Sequence, residues 1–356
     1  MVTTRLKQVH MVLLCSFFTS YASGKNITET EYQQCILQAV AAADKQTTIG
    51  SIKQLCSPLA QKPAPENEHA TAQTAANNTL PDTHYQLGAI SSRRIEELET
   101  EFTPYVITPH HVNYFLPVLT TSGINHQAYD VIGEYQQHLE NIEAKFQLSF
   151  KVPLNKHSLF VKGDGLFLAF TLESWWQVYA SNISKPFRES NYTPEIFYMA
   201  PLDWHPFGGN TGFVIGLEHQ SNGKTQELSR SWNRIYGHFL FEKGDFALSF
   251  RPWYRLPEKN KTYPLDPGGD DNPDIADYMG HSELTMGYRI DDFEFGLMTR
   301  HNVSTNKGAA ELSITFPMWG KIRGFATFFN GYGESLIDYN YKQTRFGIGI
   351  AINNML

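Results

Sequence analysis

Beyond residue 101 the chain alternates between apolar and polar positions. Phe146, Leu148, Phe150 and Val152 take every second position, and so do Leu312, Ile314 and Phe316. Phe246, Leu248 and Phe250 do the same, and the row slips by one at Pro252 to continue at Trp253. Phe346, Ile348, Ile350 and Ile352 repeat the pattern at the C-terminus. Side chains two apart project from one face of a strand, so each row predicts a strand with one apolar face. Gly163-Asp164-Gly165, Gly208-Gly209-Asn210, Lys243-Gly244-Asp245 and Asp291-Asp292 break the rows with turn residues. The pattern predicts about twelve strands between residues 103 and 352.

A soluble sandwich also alternates. Three features favour a membrane barrel instead. The segments run to about ten residues, the length a tilted strand needs to cross a bilayer. The last row continues to the end of the chain. The N-terminus reads as an export signal. In lipid every backbone group must be paired, so such a sheet is expected to close on itself.

The signal is read in residues 1–24. Arg5 and Lys7 precede the apolar run Met11 to Thr19, and Ala22-Ser23-Gly24 offers small residues for cleavage. That run is too short to span a bilayer; the alternative is a buried N-terminal strand. Residues 25–58 predict short helices, with Thr28 and Thr30 at a start and an Ala-rich stretch after them. Residues 59–84 have the Pro, Ala, Asn and Thr of a linker. The expected organisation is a signal over 1–24, a small helical periplasmic extension with its tether over 25–100, and the barrel over 101–356. Of the 3 cysteines, Cys15 lies in the signal. Cys35 and Cys56 read either as a disulfide of an exported chain or as two unrelated thiols.

Composition agrees with a wall that meets lipid. Only 18 % of the residues are charged and 13 % are aromatic, enough to ring the strand ends. Mean hydropathy is −0.36, which excludes a helical membrane protein but not alternating strands. A net charge of −7 and the lack of a basic stripe argue against nucleic acid as a partner.

The densest polar cluster covers residues 216–236. His219 and Ser221, two apart on a strand, share a face, and there an imidazole can take a serine proton. Asn233 falls on the next strand after one turn, and its amide oxygen can accept the other imidazole N–H. Gly223 lets backbone N–H groups approach an oxyanion. A polar surface turn is the competing account of the same residues.

Longer matches surround this cluster. His219-Gln220-Ser221-Asn222-Gly223 and Ser229-Arg230-Ser231-Trp232-Asn233-Arg234 resemble the outer membrane phospholipase A family. The resemblance continues, in order, through Ser174-Trp175-Trp176-Gln177, Pro186 to Tyr192, Asp270 to Ile275 with Tyr278-Met279-Gly280, and Gly331 to Asn340. It covers roughly residues 103–356, with the first hundred residues outside it.

The resemblance implies an all-β fold, a twelve-stranded antiparallel transmembrane β-barrel in the bacterial outer membrane. It implies Ser221 as nucleophile, His219 as general base and acid, and Asn233 orienting His219, on the lipid side of the wall. It implies Ca2+ held across a homodimer interface by the Ser229 hydroxyl, the Lys224 carbonyl and Ser184 from the partner subunit. Lys224 stands where the family often has Arg, which leaves a carbonyl ligand intact. Leu172 stands where the family tends to have a buried Gln that bonds across the dimer, which puts that polar contact in doubt. The implied activity is calcium-dependent hydrolysis of phospholipid and lysophospholipid acyl esters, switched on by dimerisation. The alternative class is a non-catalytic barrel, a narrow pore or a structural protein. A soluble esterase is disfavoured because the chain has no G-x-S-x-G elbow. The acidic loop Asp266 to Asp274 reads as a solvated loop or as a second calcium site. His110, His111, His238 and His281 read as girdle or loop residues.

Overall fold

The computed structural model describes residues 88–100, 108–263, 266 and 268–356. The signal, the helices expected over 25–58, the linker over 59–84 and both Cys35 and Cys56 lie outside the described residues.

The strands are β1 (Tyr114–Thr121), β2 (Ile142–Pro153), β3 (Gly165–Trp176), β4 (Glu189–Leu202), β5 (Asn210–Ser221) and β6 (Ser231–Lys243). They continue as β7 (Phe246–Arg255), β8 (Ser282–Ile290), β9 (Phe293–Asn302), β10 (Lys307–Trp319), β11 (Ile322–Gly331) and β12 (Gln343–Ala351). Each pairs antiparallel with its neighbours in sequence, and β12 pairs with β1. The result is a closed barrel of 12 strands with no free edge. A two-residue bridge, Thr108–Pro109, adds to the side of β2.

The alternation seen in the sequence becomes two faces. Leu148, Phe150, Ile215, Leu217, Phe250, Leu312, Phe346 and Ile348 all point outward and are exposed. A wall of apolar side chains beside a fully paired backbone is the surface a bilayer accepts. One detail of the pattern differs from expectation. Trp253 is buried inside, and Tyr254, 65 % exposed, continues the outward row of β7. Pro252 leaves the alternation of faces unbroken, so the slip read in the sequence does not occur.

Connections divide by end. The turns Gly244-Asp245 and Asp291-Asp292 lie at one end with segments 154–164 and 203–209, while segments 122–141, 177–188, 222–230, 256–281, 303–306 and 332–342 make the other. Short periplasmic turns and long external loops are the outer-membrane arrangement. Exposed Phe160, Trp204, Phe207 and Trp319 ring the short-turn end, as an interfacial aromatic belt does.

The interior is packed with paired charges. Glu143 of β2 accepts from Arg188 through both carboxylate oxygens, at 2.8 and 2.9 Å, and also pairs with Arg345 of β12. Lys145 joins Glu334 at 3.0 Å and Glu173 at 3.1 Å. Glu218 is held by Arg234 and Arg251. A cavity of about 420 Å³ remains among these groups.

Helix α1 (Ala89–Thr100) docks at the short-turn end. Its free N–H groups at Ile90 and Ser91 donate to the buried Glu242 carboxylate, at 2.6 Å for Ile90. An acidic group at a helix N-terminus meets both the orphan donors and the helix dipole. Lys151 pairs with Glu97 at 2.8 Å, and Arg93 donates to the Pro109 carbonyl at 2.7 Å. The sequence reading placed this stretch in the extension and tether of residues 25–100 and missed its docking, because the capping group lies on β6.

Candidate active site

His219 sits near the outer end of β5, Ser221 is the last residue of that strand, and Asn233 lies on β6. The register pairs His219 directly with Asn233 and Ser221 with Ser231. All share the outward parity of Ile215, Leu217 and Ile235, so the cluster faces the lipid side. Nδ1 of His219 lies 2.8 Å from Oδ1 of Asn233. An amide oxygen can only accept, so the proton sits on Nδ1 and Nε2 is left as a base. Among the described residues no hydrogen bond joins His219 to Ser221. Such contacts tighten in many enzymes only when substrate is bound.

Segment 222–230 follows the serine. Buried Asn222 ties it together: its Oδ1 accepts from the N–H of Arg230 at 3.0 Å and of Lys224 at 3.3 Å. Its Nδ2 donates to the Leu228 carbonyl at 2.8 Å. This brings the main chains of Lys224 and Arg230 to the same side-chain oxygen. Gly223 has φ +63, a conformation glycine adopts freely, and a Cβ there would stand 3.1 Å from the Tyr192 ring. The Lys224 amine reaches the Arg188 carbonyl at 2.5 Å and the Glu189 carboxylate at 3.0 Å. Ser184 lies on segment 177–188, where its carbonyl accepts the Trp176 indole N–H at 2.7 Å. No hydrogen bond joins it to Lys224 or Ser229 among the described residues.

The four aspartates of the acidic loop part company. The Ser229 hydroxyl donates to Asp271 at 2.5 Å, and Lys261 pairs with the other oxygen of Asp271 at 2.5 Å. Asp270 takes Arg255, and Asp274 accepts from the Tyr339 hydroxyl at 2.5 Å. Asp266 closes its own turn: the Thr262 hydroxyl, the Thr262 N–H and the Gly268 N–H hold it down to about 2. These carboxylates do not converge on one point. Asp271 stands beside Ser229, a pairing across two loops that spacing along the chain does not mark.

A profile of the family described as Phospholipase A1 matches residues 90–352. The Phospholipase A1 of Escherichia coli (strain K12) is 35 % identical over 287 residues, covering 80 % of this chain and 93 % of the relative. The chain belongs to the phospholipase A1 family. The solved outer membrane phospholipase A from Escherichia coli superimposes with a TM-score of 0.68 at 34 % identity, covering 74 % of this chain and 98 % of that one. A calcium-bound dimer of the Salmonella typhi outer membrane phospholipase gives 0.67 at 33 % identity over the same shares. This phospholipase A1 family member is therefore a bacterial outer-membrane barrel. The family match starts at residue 90 and takes in α1, which the sequence reading had left outside.

Two features of this family member were invisible in the sequence. Asn233 Nδ2 donates to Glu258 at 3.1 Å, from a loop where nothing marked that residue. His110 and His111, read as girdle or loop residues, and Glu195 offer ligand atoms within 4.8 Å of one another inside the barrel. Glu195 is already engaged, by His110 at 2.7 Å and the Tyr236 hydroxyl at 2.5 Å, and Arg251 stands 3.8 Å away. That arrangement is an ion-pair network rather than a vacant cation site.

Proposed function

We propose that the chain hydrolyses phospholipid and lysophospholipid acyl esters at the outer face of its barrel, using Ser221, His219 and Asn233. The observation that carries the reading is the His219–Asn233 hydrogen bond at 2.8 Å, on the lipid-facing side and one pleat from Ser221. A pore has no use for that pairing.

Ser221 Oγ attacks the ester carbonyl while Nε2 of His219 takes its proton. Asn233 keeps the imidazole in the tautomer this requires and accepts from Nδ1–H as the ring becomes cationic. The Gly223 backbone N–H faces the developing oxyanion. Nε2–H then protonates the departing glycerol oxygen, leaving an acyl group on Ser221. Water attacks that ester with His219 again as base, releasing the fatty acid and restoring the serine. Substrate already lies in the leaflet beside an outward triad, so no extraction step is needed.

The residues present fit calcium. Ser229 Oγ, the Asp271 carboxylate beside it and the Lys224 carbonyl of the same loop as Ser229 are an all-oxygen set, which a hard cation prefers. Ser184 from the partner subunit would complete it, making activity depend on a homodimer. Bound there, the ion would supply positive charge to the oxyanion.

The test is fatty-acid release from phospholipid micelles by detergent-purified protein, with Ser221→Ala alongside and with calcium or chelator. Loss of release in Ser221→Ala and in chelator is expected. Serine-dependent release that ignores chelator would overturn the metal site, and inactivity of a folded, cross-linkable dimer would overturn the enzyme.

A further inference from the structure

We infer that Glu258 is a positioning residue for the His219–Asn233 pair, an inference that rests on Ser221 and His219 acting as nucleophile and base. Glu258 lies three positions beyond β7, half-buried at the root of segment 256–281. Its Oε1 accepts from Asn233 Nδ2 at 3.1 Å. The same segment grips the backbone of that asparagine, since the Leu256 N–H donates to the Asn233 carbonyl at 2.8 Å. Asn233 is thus fixed at both its side chain and its main chain by one short stretch of loop.

The chemistry of the partner decides the orientation of the amide. An ionised carboxylate only accepts, so the NH₂ of Asn233 must face Glu258 and its oxygen must face His219. Flipping the amide would set oxygen against carboxylate and NH₂ against the imidazole N–H. Glu258 therefore selects the tautomer with the proton on Nδ1, which leaves Nε2 to serve Ser221. Glu258 also brings charge. A neutral amide offers no counter-charge to an imidazolium, and a carboxylate behind it polarises the amide oxygen along the chain of bonds. The charge is not spent elsewhere: among the described residues no cation pairs with Glu258. The neighbouring cations are engaged, Arg255 by Asp270 and Lys261 by Asp271.

The experiment uses two backgrounds. Initial rates on phospholipid micelles with calcium are measured for wild type, Glu258→Gln, Asn233→Asp and the double variant, with Ser221→Ala as the blank. Glutamine keeps the size and an accepting oxygen but removes the charge. In the wild-type background Glu258→Gln should lower kcat about fivefold and leave KM unchanged, the scale of a charge-assisted hydrogen bond made neutral. In Asn233→Asp two carboxylates face each other, so the same change should raise kcat. That reversal of sign is what a merely structural residue would not produce. An effect of equal sign in both backgrounds, or one confined to KM, overturns the role of Glu258. Full activity in Ser221→Ala would instead overturn the nucleophile, and the two failures are separately visible.

Discussion

Nδ1 of His219 stands 2.8 Å from Oδ1 of Asn233 because two antiparallel strands set these residues directly opposite each other. The bond owes nothing to a flexible loop on the histidine side. Asn233→Ala should leave the barrel intact and let the imidazole turn. A small misplacement of a base costs on the order of 100-fold in rate. The expected outcome is a fall in kcat of that size with KM little changed, read from initial rates of fatty-acid release.

Ser229 and Asp271 belong to different loops and meet at 2.5 Å. If this pair is part of the cation site, Asp271→Asn should raise the calcium concentration for half-maximal activity by about 10-fold or more, the usual cost of a lost supporting group. Activity at saturating calcium should recover. A calcium titration of release measures both, and an unchanged midpoint would remove Asp271 from the site.

Gly223→Ala tests the loop rather than the triad. The φ of +63 is left-handed, which costs a residue with a Cβ about 1–2 kcal/mol. The added carbon also meets the Tyr192 ring at 3.1 Å. Activity should fall while the folded barrel, scored by its heat-modifiable gel mobility, persists.

Glu143 is buried and holds two arginines, Arg188 and Arg345. Removing one partner of a buried pair leaves charge uncompensated and costs about 3–5 kcal/mol. Arg345→Met should therefore lower the urea midpoint of unfolding in detergent.

Asp164 sits in the turn between β2 and β3. Partial desolvation would raise its carboxyl, but the N–H groups of Val161, Phe160 and Leu159 and the Tyr198 hydroxyl outweigh it and hold it down to about 2. A depressed carboxylate stabilises the fold above its unfolded value near 3.8 and loses that contribution as pH falls through about 2. Asp164→Asn should flatten the stability profile between about pH 4 and pH 2. Unfolding curves across that window decide it, and an unchanged slope would mean the turn does not depend on the charge.

The strands were legible because a membrane barrel writes its faces into the chain. Every second side chain of each strand must satisfy lipid, and a two-residue periodicity is a local property. His219 and Ser221 were legible for the same reason, since i and i+2 share a face whatever the rest of the fold does. Asn233 needed only the hairpin that follows. Pro252 misled because proline signals a break, yet the alternation of faces in β7 runs through it to Tyr254.

What only the tertiary structure decided lies where distant segments meet. Glu242 caps a helix some 150 residues earlier, Asp271 reaches Ser229 from another loop, and Glu258 meets Asn233 across a strand end. Carboxylates in polar loops look alike in a sequence, because solvent, an arginine or a side-chain amide can each satisfy them. Which one does so depends on where closing the barrel brings the loop ends, and periodicity carries no record of that.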